Sequence, residues 1–110
     1  MNGQGSAGVG GTAACDAAYN GDVATLKLLV EAGADLTIPN REGSTPLMIA
    51  AFFGHCEAVK FVTAHLKGPK LTAELERRNL AGDTATDCAL RENHSDTAEF
   101  LLQLQVSFEL

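Results

Sequence analysis

The chain has 110 residues, a formal net charge of −6, 45% apolar residues and 20% charged residues. A chain of this length makes one domain that can bury a hydrophobic core, and it leaves no room for a second domain within these residues. The acidic balance disfavours nucleic acid and anionic membranes, which attract Lys and Arg, and no stretch approaches the roughly 18 apolar residues of a membrane span.

The first 11 residues hold five of the 11 glycines and no charged side chain. They lack the basic and long apolar regions of a secretory peptide and the arginines of a transit peptide. Gly3–Gly8 matches G-x-G-x-x-G, but the phosphate-binding form of that motif follows a strand, and only Met1 and Asn2 precede it here. We interpret residues 1–11 as a flexible Gly-rich leader and rank a nucleotide-binding enzyme far behind other functions.

The rest of the chain repeats a pattern three times. Gly21 lies 33 residues before Gly54, and Gly82 lies 39 residues after Gly43. Many neighbouring residues match at the same two spacings, so the third unit is displaced by a six-residue insertion. Such a period indicates a stack of similar units.

Residue types in the central unit suit two helices joined by turns. Gly43 allows a turn with positive φ, Thr45 can cap the next helix, and Pro46 fits its first position. Gly54 then ends this helix, and a second helix begins near Glu57, whose charge favours a helix N-terminus. The other two units follow the same plan.

These residues carry a family resemblance. Residues 43–51, which read G-S-T-P-L-M-I-A-A, and the following Gly54-His55 resemble the ankyrin-repeat pattern G-x-T-P-L-H-x-A-A…G-H. Residues 31–37 resemble the end of such a repeat. The resemblance implies an all-α solenoid of three helix–turn–helix units joined by short turns or β-hairpins, with repeats at about 12–39, 40–78 and 79–105.

Several positions depart from the ankyrin pattern. Met48 replaces the usual His, so we expect the hydrogen bonds of that His to the next turn to be lost. The third unit reads Thr84-Ala85-Thr86 in place of T-P-L and has Asn93 in place of Gly. The conformation of the loop 66–78, which holds the insertion, stays open. Its basic residues are expected to be solvated surface: Lys67, Lys70, Arg77 and Arg78.

The apolar tail at 106–110 has two readings. Val106, Phe108 and Leu110 alternate with polar residues. The tail either folds back over the last helices as a cap, or it is the cut end of a longer chain or a segment that another protein covers. The sequence leaves both readings open.

The cysteines and histidines do not form a catalytic or metal-binding pattern. No C-x-x-C or H-x-x-x-H pair is present, and His55 and His94 occupy the same repeat position, where an imidazole bonds backbone groups. We expect Cys15 and Cys88 to be buried. We predict no enzyme activity, no catalytic residue, no cofactor and no metal. The three cysteines fit a reducing compartment, either cytoplasmic or nuclear.

The resemblance implies protein binding through a concave face formed by turn tips and first helices. The adjacent pair Phe52-Phe53 cannot point into one core, and Tyr19 would stand beside it from the neighbouring repeat. We predict a monomer that binds another protein, one with a basic surface, as an inhibitor, adaptor or assembly chaperone. The alternative is a scaffold fragment of a longer ankyrin array. The predicted partner-binding residues are Tyr19, Asn20, Arg41, Glu42, Ser44, Phe52, Phe53, Leu80, Ala81, Asp83, Arg91 and Glu92.

Overall fold

Helices and turns make up the computed structural model, which describes residues 9–66 and 68–109. Within those ranges there is no strand, so the predicted connections are turns rather than β-hairpins, and the predicted all-α class is confirmed. The seven described helices are α1 (Val9–Asn20), α2 (Val23–Glu31), α3 (Pro46–Phe52), α4 (Cys56–His65), α5 (Pro69–Glu76), α6 (Ala85–Arg91) and α7 (Ser95–Glu109).

The helices pair into three units that stack side by side. Helices α1 and α2, α3 and α4, and α6 and α7 form the pairs, and α1, α3 and α6 pack against one another as a row of first helices. A second row consists of α2, α4 and α7. The stack measures 43 × 25 × 22 Å. None of the helices in the described part of the chain is both long and apolar enough to cross a membrane.

Small side chains let the first helices approach closely. Ala18, Ala50, Ala51 and Ala89 are fully buried, and their single methyl groups allow tight contact between neighbouring helices. The second row instead buries branched side chains. These include Leu26, Val59, Val62 and Leu101.

Local capping explains how the third unit tolerates its departures from the pattern. Thr84 and Asp87 form a capping box, in which each side chain accepts a hydrogen bond of 3.1 Å from the backbone N–H of the other. This arrangement starts α6 without a proline. Asn93 takes a φ of 64°, a left-handed conformation that Asn adopts more readily than most residues.

Histidine and glycine fit together between successive units. The Nε2 atom of His55 lies 3.0 Å from the backbone oxygen of Tyr19, which confirms the predicted structural role of this imidazole. A Cβ atom at Gly21 would lie 2.7 Å from the His55 ring, and one at Gly54 would lie 2.4 Å from the His94 ring. Both glycines are therefore needed for contact between repeats as well as for turning the chain.

Most of the segment 66–78, whose conformation the sequence left open, forms a helix. Helix α5 begins at Pro69, which suits a first helical position, and it buries Leu71 and Leu75, four residues apart on one face. It packs against α6 and α7. Packing on these helices stabilises a helix of about two turns that local propensity alone would not maintain.

Glu74 of α5 is buried and bonded to the hydroxyl of Thr45, the residue that caps α3. Met48, which stands where the pattern has His, is fully buried, and the polar contact at the start of this helix comes from Glu74 of the inserted helix. Lys70, Arg77 and Arg78 are exposed, as predicted for this segment, whereas Lys67 lies outside the described residues; the two arginines also make hydrogen bonds. Arg77 donates to the Thr37 backbone oxygen at 2.9 Å, and Arg78 donates to that of Gly82 at 2.8 Å.

Both ends of the described chain are helical. Helix α1 begins at Val9, so residues 9–11 of the predicted leader belong to its first turn, where backbone N–H groups need no partner within the helix. The glycine motif Gly3–Gly8 lies outside the described residues. Helix α7 continues through residues 106–109 of the predicted tail. The side chains of Val106 and Phe108, and all of Leu110, lie outside the described part.

Candidate protein-binding surface

Three aromatic side chains meet across the first two repeats. The ring centroid of Phe53 lies 4.6 Å from that of Tyr19 and 4.9 Å from that of Phe52. Phe52 packs against the core, whereas Phe53 is 38% exposed and Tyr19 is 58% exposed. The two rings touch, but only Phe52 packs into the core, in line with the prediction that both cannot do so, and Tyr19 stands beside Phe53.

These rings border a groove of about 430 Å³ that lies between the first helices and the turn tips. Its volume falls within the range of about 300–1,000 Å³ typical of binding pockets. The groove is lined by Tyr19, Asn40, Glu42, Ser44, Met48, Ile49, Phe52, Phe53, Asn79, Ala81, Asp83, Cys88 and Arg91.

Two asparagines hold the turn tips in fixed geometry. The side-chain oxygen of Asn40 accepts two backbone hydrogen bonds of 2.9 and 3.0 Å within its own turn, and that of Asn79 accepts two of 3.0 Å in the next. The turns are also joined to each other, because the Leu80 N–H donates to the Glu42 backbone oxygen at 2.9 Å. The Asn79 amide donates to the Ser44 hydroxyl at 3.2 Å. The rim of the groove is therefore preorganised.

Only part of the charge around the groove is paired. Asp83 and Arg91 form an ion pair of 2.9 Å, and the hydrogen bond to Asp83 raises the pKa of Arg91. Four other charged side chains on or beside this face have no hydrogen bond or ion pair to the described residues. They are Asp16, Arg41, Glu42 and Glu92.

Two buried thiols lie under this face. Burial raises the pKa of Cys15 from 9.0 to about 11, with the charge of Asp16 adding to the effect. Burial likewise raises the pKa of Cys88 to about 11, with contributions from neighbouring carboxylates such as Asp83. Both thiols stay protonated at neutral pH and are poor nucleophiles. Cys56 differs from them, because it is only half-buried at the start of α4.

The described residues contain no group of three or more His, Cys, Asp or Glu side chains placed to hold a metal ion. The polar side chains at the groove are instead engaged in turns or exposed as single charges. This arrangement suits contact with the surface of another molecule.

Eight of the twelve predicted partner-binding residues line the groove. They are Tyr19, Glu42, Ser44, Phe52, Phe53, Ala81, Asp83 and Arg91. Arg41 lines an adjoining depression with Asp16 and Tyr19. The other three lie outside the lining: Asn20 donates to the Asp16 backbone oxygen, Leu80 projects from the turn tip with 81% exposure, and Glu92 is exposed after α6.

Sequence reasoning missed the apolar floor of the groove. Met48, Ile49 and Cys88 form this floor together with Phe52. Met48 and Ile49 precede Phe52 by four and three residues, and such spacing places side chains on one helix face. This spacing is the sequence signal that could have predicted that Met48 and Ile49 share a helix face with Phe52.

Comparison with known proteins gives a consistent picture. The family model for ankyrin repeats in three copies matches residues 14–109. Mouse (Mus musculus) protein phosphatase 1 regulatory subunit 12A is 38% identical over 96 residues, which cover 87% of this chain and 8% of that protein. Ankyrin repeat and SOCS box protein 2 of Bos taurus is 35% identical over 82 residues, 74% of this chain and 12% of that protein. The chain thus spans a small part of these relatives.

A solved structure also resembles this fold. A chain in the complex of a predatory endopeptidase from Bdellovibrio bacteriovorus with an immunity protein matches with a TM-score of 0.72 and 36% identity. The match covers 83% of this chain and 45% of that one.

Proposed function

The chain belongs to the ankyrin-repeat family, and on this premise we propose that it is a non-enzymatic protein-binding module whose partner contacts the groove beside Tyr19, Phe52 and Phe53. The observation that carries the proposal is the exposure of Tyr19 and Phe53 above an apolar, preorganised groove. Aromatic side chains are enriched at the centres of protein interfaces, where they contribute much of the binding energy.

Rigidity of the groove favours binding. The turn tips are already hydrogen-bonded, and His55 holds the Tyr19 backbone in place, so a partner would not have to order them. Preordered surfaces lose less conformational entropy on association. The aromatic rings also support one another, which limits their freedom before binding.

The relatives favour a regulatory role for the proposed module. One relative is a phosphatase regulatory subunit, and the structural match comes from a complex that contains an immunity protein. We propose that this chain acts as a small inhibitor, adaptor or assembly chaperone and is monomeric alone. Its three free cysteines accord with a reducing cytoplasmic or nuclear compartment.

Affinity capture with matched variants tests the binding face. Phe53→Ser removes an exposed aromatic at the groove, and Leu28→Ser removes a residue of α2 that is 65% exposed and does not line the groove. Partners captured from lysate by the wild type should fall in yield with Phe53→Ser and persist with Leu28→Ser. Circular dichroism verifies that both variants fold. Equal yields with folded Phe53→Ser contradict the proposal.

A scaffold fragment of a longer array is the second candidate. Leu90 and Leu102 of the last unit are 53% and 46% exposed, as expected where a further repeat would pack. A fragment of this kind should self-associate, and Leu90→Ser with Leu102→Ser should reduce that association. A monodisperse monomer by light scattering would count against this candidate.

A further inference from the structure

We infer that the groove takes a segment of a partner protein in which one bulky apolar side chain is flanked by Lys or Arg. The inference rests on the proposed function of this groove and adds the chemistry of its occupant. It draws on three features of the structure, which are the apolar floor, the engaged polar rim and the unpaired carboxylates.

The floor of the groove selects an apolar side chain. Met48 is fully buried, Ile49 is 9% exposed and Cys88 is 3% exposed, so the groove ends on hydrocarbon and a protonated thiol. The described residues leave one buried side-chain polar atom without a hydrogen-bond partner, Thr86 Oγ1, and this atom does not line the groove. A polar side chain inserted here would lose its hydration without gaining a partner.

The rim offers few hydrogen bonds for reading a polar sequence. The Asn40 and Asn79 side-chain oxygens each accept two backbone hydrogen bonds, and the Ser44 hydroxyl accepts from Asn79. These contacts belong to the turns themselves. With these acceptor oxygens engaged, the unpaired charges around the groove are the main feature left to select a partner.

The unpaired charge around the groove is negative. Asp83 and Arg91 neutralise each other at 2.9 Å. Among the described residues of this face, Glu42 on the rim, Asp16 in the adjoining depression and Glu92 after α6 remain unpaired, against one unpaired cation, Arg41. The excess of carboxylates complements Lys or Arg on the partner.

A further observation agrees with a cationic flank. The exposed ring of Tyr19 can accept a guanidinium or ammonium over its face.

A peptide library displayed on phage provides the probe. The folded chain is immobilised, random peptides are selected on it, and the enriched peptides are synthesised and titrated by calorimetry. We expect them to share a large apolar residue with Lys or Arg as neighbours. Their affinity should fall as salt is raised, because the charges lie at an exposed rim.

Glu42→Gln isolates the electrostatic part of the recognition. Its side chain makes no hydrogen bond or ion pair to the described residues, so the variant should fold normally. We expect roughly two- to fivefold weaker peptide binding, the effect of one exposed charge pair. Glu31→Gln, at the end of α2, makes the same charge change away from the groove and should leave the affinity unchanged.

The outcomes separate this inference from the proposed function. Neutral or acidic peptides, or equal effects of Glu42→Gln and Glu31→Gln, would overturn the inference. If those same peptides still lose binding to Phe53→Ser, the groove remains the binding site and the proposed function stands. Peptides that bind Phe53→Ser as tightly as the wild type would refute both the inference and the proposed function. The absence of any enriched peptide would overturn the inference that a segment is the occupant.

Discussion

Charged side chains on the side of α5 make contacts within the described chain that Arg41 and Glu42, on the side of the groove, do not make. Beside α5, Glu74 bonds to Thr45 and Arg77 donates to the backbone of Thr37. Beside the groove, Arg41 and Glu42 make no such contacts through their side chains. The same residue types hold the fold together on one side and remain free for a partner on the other.

Chain connectivity explains this difference. The contacts of α5 and its C-cap residue join positions 29 and 40 residues apart, so they attach the insertion to the first two units of the stack. Next to the groove, the oxygens of Asn40 and Asn79 satisfy N–H groups within four residues. Because these turns satisfy their own backbone, Arg41 and Glu42 are left for outside contacts, while Asp83 of the second turn pairs with Arg91.

The largest expected effect is the loss of stability when a buried side chain of α5 is shortened. Leu75 is 2% exposed, so Leu75→Ala should lower the free energy of unfolding by about 2–4 kcal/mol. Leu80→Ala makes the same change at a turn tip that is 81% exposed and should alter stability by less than about 0.5 kcal/mol. Urea unfolding measures both. Similar losses for the two variants would mean that α5 is not a structural element.

A smaller effect should appear in the pH dependence of stability. Burial raises the pKa of Glu74 above its ordinary value of 4.5, while the hydrogen bond from Thr45 and the charge of Arg77 act in the opposite direction. The stabilisation from this carboxyl is therefore complete below pH 4.5 and is lost as pH rises through the folded-state pKa.

Glu74→Gln should remove the loss of stability that the wild type shows as pH rises through the folded-state pKa of Glu74. The free energy of unfolding of the variant, relative to wild type, should increase as pH rises from 4.5 towards neutrality. Urea titrations at several pH values measure the difference, with Glu76→Gln, exposed on the same helix, as the control for losing one carboxylate. A difference that does not change with pH would contradict the buried position of Glu74.

The smallest effect compares two exposed arginines. Arg77→Gln removes a hydrogen bond of 2.9 Å to the Thr37 backbone and should destabilise the chain by less than about 1 kcal/mol. Arg41→Gln, on the groove side, removes no contact and should leave the thermal midpoint unchanged. If Arg41→Gln were the more destabilising change, the contrast between the two sides would be wrong.

Local signals predicted much of the fold. Thr45 caps α3, Pro46 occupies its first turn, and Gly54 follows it with a φ of 72°. These roles depend on residues a few positions apart, so they can be recognised before any packing is known. The same local reasoning placed Tyr19 beside Phe53 once the repeat spacing was established.

The insertion was harder to predict, although its sequence holds a weak signal. Pro69 at a helix start and the spacing of Leu71 and Leu75 are compatible with a helix, but one so short depends on what it packs against. Packing against α6 and α7 supplied that support. The buried position of Glu74 could not be inferred, because its partner Thr45 is 29 residues away.

The sequence by itself determined the repeat, the caps and the turns. It also indicated that Phe52 and Phe53 cannot both be buried in one core. Each of these features depends on nearby residues or on a regular spacing. Only the tertiary structure decided which charges are paired, where α5 lies, and that Met48, Ile49 and Cys88 meet beneath one groove. Those outcomes depend on contacts between distant segments, whose geometry emerges when the three units stack.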